Sequence, residues 1–152
     1  MYGLINKSIE ELVTAKFGEA KWNEIKAHSK VDVDYFLSLE QYDDSITFKL
    51  ANSIGAVLGI DVKDVLVLFG EWWIIDTVDK KYGTMIHSSG KTLKDFLISL
   101  PNFHNRVMLM YPKIIPPEFQ VSDETENSIN VHYYSKREGL QEFVRGLMQG
   151  LS

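Results

Sequence analysis

The spacing of apolar residues changes once along this chain, at the proline-rich stretch PKIIPP, residues 112–117. Before it they recur every three or four positions, the period of a helix buried on one face; after it they alternate, the period of a strand. Ile5, Ile9, Leu12, Val13 and Phe17 predict a helix over residues 2–17 that Gly18 ends. A second is expected over 19–28 and a third over 44–59, closed by Gly59. Val65, Leu66, Phe69, Trp72 and Trp73 make 61–75 a helix too apolar to lie in water, despite Gly70 in its interior. The segment 90–100 reads as a short helix, and Pro101 as the first turn of a separate one over 101–111, where a proline costs little.

Beyond Pro117, EFQVSDETE and SINVHYYSK flank acidic and asparagine turn residues and predict an antiparallel hairpin. Leu140, Phe143, Val144, Leu147, Met148 and Leu151 then form one stripe of a last helix. Helices first, then strand, strand and helix, is an α+β order, and 152 residues without an internal linker predict a single domain.

Charge and composition narrow the function. A formal net charge of −5 with scattered lysines argues against nucleic acid or an anionic membrane as partner. No apolar run approaches the roughly 20 residues of a membrane helix. The chain has no cysteine, so neither disulfides nor thiolate sites are expected, and its first residues carry carboxylates where a signal peptide needs apolar ones. A cytoplasmic protein is the expectation. SSGKT, residues 88–92, resembles the end of a phosphate-binding loop, but the motif's first glycine would fall at Met85. With no nucleophile elbow or zinc-protease motif either, nothing points to an enzyme.

Two constellations invite a function. In an extended strand Tyr133, Ser135 and Arg137 would share one face, two hydroxyls and a guanidinium suited to a carboxylate or phosphate. The plainer reading is the polar face of a hairpin. In LPNFHNRVMLMYP, Leu100, His104, Val107, Met108 and Tyr111 fall on one helical face, which turns His104 among apolar side chains. There it is either a core histidine hydrogen-bonded to a carbonyl or an axial ligand. Haem would use both constellations, having an iron for His104, a large apolar ring, and two propionates for the polar row. His28, His87 and His132 have no partners at metal-ligand spacing and read as surface residues.

MYGLINKSIEEL, FGEWW, the histidine of LPNFHNRVMLMYP, IPPEF and YYSKR, which matches Y-x-S-x-R, together resemble the H-NOX (haem nitric oxide/oxygen binding) domain, collinearly over residues 1–152. The resemblance implies a haem b sensor related to the regulatory domain of soluble guanylate cyclase. It implies His104 as proximal iron ligand, Tyr133, Ser135 and Arg137 as a propionate clamp, and Pro117 pressing on the porphyrin. Ile5, Ile9, Trp73, Phe143 and Leu147 would line the pocket. Oxygen-holding members of the family have a distal tyrosine where this chain has Phe143, so nitric oxide and CO are the expected ligands and oxygen is not. Trp73 is the one residue of that set with a donor to offer. The implied output partner is a separate histidine kinase or cyclic-di-nucleotide enzyme. The family adds two strands after the helix that here ends near Leu151, and a two-stranded hairpin is marginal without further strands or a covering helix, so the C-terminal part is expected to be weakly held or the chain shortened. The rival expectation is a haem-free module holding a small anion on Tyr133, Ser135 and Arg137.

Overall fold

The computed structural model describes residues 1–152. Seven α-helices and one hairpin follow in the order α1 (Gly3–Phe17), α2 (Glu19–Ser29), α3 (Asp44–Leu58), α4 (Val62–Trp72), a π-helical segment (Trp73–Val78), α5 (Asp79–His87), α6 (Leu93–Met110), β1 (Glu118–Ser122), β2 (Asn130–Tyr134) and α7 (Gln141–Leu151). The α+β order read from the periodicities is the one observed.

Local chemistry sets most boundaries. The Asp43 carboxylate accepts from the Ser45 N–H at the start of α3, and Asp61 accepts from Lys63 N–H at the start of α4, each satisfying a donor that the first turn leaves free. Gly59 takes the left-handed conformation at φ 70° that ends α3. Ile9, Leu12 and Val13 of α1 meet Trp22 and Ile25 of α2, Leu50, Ala51 and Ile54 of α3, and Val65, Leu66 and Phe69 of α4 in the main core. Here most of the apolar faces foreseen in the sequence are buried together, but Phe17, at the last turn of α1, is exposed. Trp72 and Trp73, expected in that core, are only half-buried.

Two helical expectations are corrected. The expected break at Pro101 does not occur: α6 runs unbroken from Leu93 to Met110 with Pro101 inside it. A Thr92–Asp95 capping box starts it, and Phe96, Leu97, Leu100 and Val107 keep one buried face on both sides of the proline. Pro101 removes a single hydrogen bond, to the Leu97 carbonyl, and the continuous packing outweighs that loss. Met108, expected on that face, is instead exposed. The expected α-helix over 61–75 changes pitch at Trp73 into the π-helical segment, whose wider turn buries Thr77 against Ser8, their hydroxyls 2.5 Å apart. Helix α5 follows without a break and was not legible in the spacing.

The hairpin pairs Phe119 with Tyr133 and Val121 with Val131. Phe119, Val121 and Val131 lie against Phe96, Leu97 and Leu100 of α6, and Lys94 of α6 pairs with Glu124. Helix α6 thus supplies the covering surface that a two-stranded sheet without further strands needs.

Helices α4 and α7 cross at close range. A Cβ on Gly70 would stand 2.2 Å from the Phe143 carbonyl oxygen, and one on Gly146 would stand 2.1 Å from that of Val67. Only glycine allows backbones this near, and the crossing brings Phe69 and Phe143 to a ring separation of 5.0 Å.

Candidate functional site

A cavity of about 240 Å³ opens between α1, α3, α4, the π-helical segment, α5, α6, α7 and the residues 113–117 that lead into β1; 19 of its 26 lining residues are hydrophobic. Such a lining suits a large apolar ligand held by a few polar groups. Ile5 and Ile9 of α1, Phe69 of α4, Trp73 and Val78 of the π-helical segment, and Phe143 of α7 contribute apolar surface. Phe103, His104, Val107 and Tyr111 contribute from α6 and its end, with Tyr82 from α5 and Pro116 and Pro117 at the rim.

His104 is half-buried, and burial alone holds its pKa below the ordinary histidine value, which keeps the imidazole neutral. No carbonyl, hydroxyl or carboxylate of the chain is hydrogen-bonded to either ring nitrogen. The carbonyl-bonded core histidine is thus not what the fold builds. A neutral imidazole on an apolar cavity wall, with its lone pair uncommitted, is the donor chemistry that an axial iron ligand requires.

Arg137 also lines the cavity. Its Nε donates to Asp44 Oδ2 at 2.7 Å and its Nη1 to the Ile115 carbonyl at 3.4 Å. Of the five N–H groups of a guanidinium, two are used in this way, and three remain for a ligand. Asp44 also accepts from the Met1 ammonium at 2.5 Å. Burial would raise the Asp44 pKa, but these two cationic donors outweigh it and hold the carboxyl below its usual range.

The row expected on the strand is not formed. Strand β2 ends at Tyr134, and the Ser135 hydroxyl turns the chain by accepting the Arg137 N–H at 3.0 Å. Tyr133 stacks at a tilt on Phe119, ring centroids 5.4 Å apart. Tyr133, Ser135 and Leu147 lie outside the cavity lining, whereas Ile5, Ile9, Trp73, His104, Pro117, Arg137 and Phe143 are in it. The indole N–H of Trp73 has no partner within the chain.

Sequence reasoning missed a group of tyrosines. Tyr82 donates to the Tyr111 hydroxyl at 3.2 Å, and Tyr2 crosses Tyr111 edge-on with ring centroids 5.0 Å apart. Burial first, and the Tyr111 hydroxyl next, raise the Tyr82 pKa. All three line the cavity, yet they come from α5, the end of α6 and the N-terminus, with no spacing to connect them.

A family model described as haem-NO-binding matches residues 2–152. Among relatives, the soluble guanylate cyclases gcy-31 and gcy-35 of Caenorhabditis elegans are each 29% identical over 152 residues, covering 100% and 98% of this chain. The chain spans only 22% of the length of either. An H-NOX protein mutant from K. algicida in the unliganded Fe(II) state superposes with a TM-score of 0.83 at 25% identity, covering 97% of this chain and 80% of that one. An H-NOX protein from S. oneidensis shares the fold with a TM-score of 0.85 at 22% identity, over 99% of this chain and 80% of that one. Matched almost end to end, these 152 residues belong to the haem-NO-binding family and form an H-NOX domain, a haem-based gas sensor of the kind found in guanylate cyclases.

Proposed function

We propose that this single domain holds haem b on His104 and responds to nitric oxide and CO rather than oxygen. The observation that carries the reading is the neutral His104 imidazole, set in an apolar cavity wall without a hydrogen bond from the chain. No cysteine exists for a thioether link, so the haem would be held without covalent bonds to its ring. His104 would take the iron, the apolar lining would enclose the ring, and Arg137 would meet a propionate with its free N–H groups. Pro117 would press on the ring from the rim, and Ile5, Ile9, Trp73 and Phe143 would bound it. Tyr133, Ser135 and Leu147 would act from outside the lining, Ser135 by holding the backbone of Arg137 and Tyr133 by bracing the hairpin.

When bound, the iron supplies an open coordination position for a diatomic gas. What the chain adds is the surroundings of that position. Ile5, Ile9 and Phe143 carry no hydrogen-bond donor, and the Thr47 hydroxyl is committed to Asn6 at 2.7 Å. A bound dioxygen relies on such a donor and nitric oxide does not. The rival reading, a small anion on Tyr133, Ser135 and Arg137, is disfavoured because only Arg137 of the three lines the cavity and the Ser135 hydroxyl is bonded to backbone.

The output partner we propose is a separate histidine kinase or cyclic-di-nucleotide enzyme in the cytoplasm, as the family resemblance implies. No helix is long and apolar enough to cross a membrane. Absorption of the purified protein tests the haem reading: an intense band at roughly 400–430 nm is expected, and a colourless protein that takes up no added haem would refute it.

A further inference from the structure

Resting on that haem reading, we propose that Lys113 is the second cation of the cavity mouth and binds the haem carboxylate that Arg137 cannot serve. A haem carries two propionates, and the guanidinium at the mouth already shares its charge with Asp44. Arg137 and the Met1 ammonium share Asp44 between them, so a single net positive charge would face two carboxylates at an apolar rim. Lys113 is the one lysine among the residues that line this cavity.

Its placement is fixed by the backbone. The Lys113 N–H donates to the Tyr2 hydroxyl at 2.9 Å, which pins the start of the 113–117 rim to the residue just before α1. Two residues further on, the Ile115 carbonyl accepts from Arg137 Nη1. One short stretch of chain therefore carries Lys113 and anchors Arg137, which sets the two cations along the same rim. The Lys113 ammonium has no carboxylate within ion-pair distance, whereas Lys21, Lys80 and Lys94 each do.

The charges close as well. Arg137, the Met1 ammonium and Lys113 give the mouth three positive groups, and Asp44 answers one of them. The excess of two matches the two propionates. Lys113 is exposed at the rim, so it acts as a solvent-screened positioning charge that orients the ring and slows its escape.

Metal-free protoporphyrin IX and its dimethyl ester, titrated into the haem-free chain by fluorescence, test the proposal without the iron–histidine bond. Lys113→Ala should weaken diacid binding roughly fivefold and leave ester binding unchanged, and Lys113→Arg should restore the parent value. Lys16→Ala, which removes a charge at the far end of α1, should change neither. Equal diacid affinity for Lys113→Ala and the parent overturns the role of Lys113 while leaving the haem reading intact. An equal loss in Lys16→Ala also overturns it, because net charge alone would then suffice. A parent chain that binds neither porphyrin nor haem refutes both readings together.

Discussion

Arg137 and Asp44 stand 93 positions apart in the chain, and the guanidinium Nε donates to the carboxylate at 2.7 Å. Through this bond and the Met1 ammonium on the other Asp44 oxygen, the start of α1, the start of α3 and the loop before α7 meet at one edge of the cavity. The low pKa of Asp44 makes the junction a contribution to stability that is present above the ordinary carboxylate pKa and is lost as pH falls through the folded value.

Arg137→Ala should therefore act twice. The chain should lose about 1 kcal/mol of stability, a modest figure because the pair is partly exposed and Asp44 keeps the ammonium. Haem should transfer to a scavenging apoprotein about tenfold faster, with the absorption spectrum of the retained fraction unchanged. Transfer rates equal to the parent's would remove Arg137 from the clamp.

His104→Gly should abolish haem retention, and added imidazole should restore part of it by entering the vacated space. If the variant keeps the parent's five-coordinate ferrous spectrum, another group holds the iron.

Acid should destabilise the haem-free chain through the same histidine. The unfolded chain takes up a proton near the ordinary histidine pKa of about 6.5, whereas burial makes the folded chain resist it until lower pH. The unfolded state binds more protons in that window, so stability rises with pH through it and the penalty is fully present below the folded value. His104→Leu should flatten this part of the stability curve, as measured by urea unfolding, and an unchanged slope would assign the effect elsewhere.

The proposed gas selectivity would rest on Phe143 and Trp73, both in the cavity lining. The reduced protein should form stable complexes with nitric oxide and CO, while in air it should oxidise instead of retaining oxygen. Phe143→Tyr should lengthen oxygen retention by placing a hydroxyl in the cavity. Persistent oxygen binding by the unaltered protein would count against the selectivity and implicate the unpartnered Trp73 indole.

Gly70→Ala should separate α4 from α7, since the new methyl would meet the Phe143 carbonyl at 2.2 Å. A loss of roughly 1–3 kcal/mol in thermal or denaturant unfolding is expected, together with a change in fluorescence from Trp73 beside Phe69. Unaltered stability would mean that the crossing yields without cost.

The periodicities by themselves determined that helices precede a hairpin and a last helix, and they placed the buried faces of α1, α3 and α4, because one-sided burial leaves a local pattern of spacing. The inward setting of His104 was legible for the same reason: Leu100, Val107 and Tyr111 mark its face and are buried. Family membership followed from motifs that stand together in the chain. Tertiary packing decided the rest. Pro101 looked like a boundary, yet α6 passes through it because the hairpin and α7 cover Phe96, Leu97 and Leu100 before it, and Leu4 packs with Val107 and Tyr111 after it. Tyr133, Ser135 and Arg137 looked like one row, yet a hydroxyl-to-backbone bond ends the strand before the row can form. The partners of Arg137, and the gathering of Tyr2, Tyr82, Tyr111 and Lys113 at the cavity, depend on contacts between residues far apart in the chain. Such contacts leave no period in a sequence, since each is fixed only when separate elements dock.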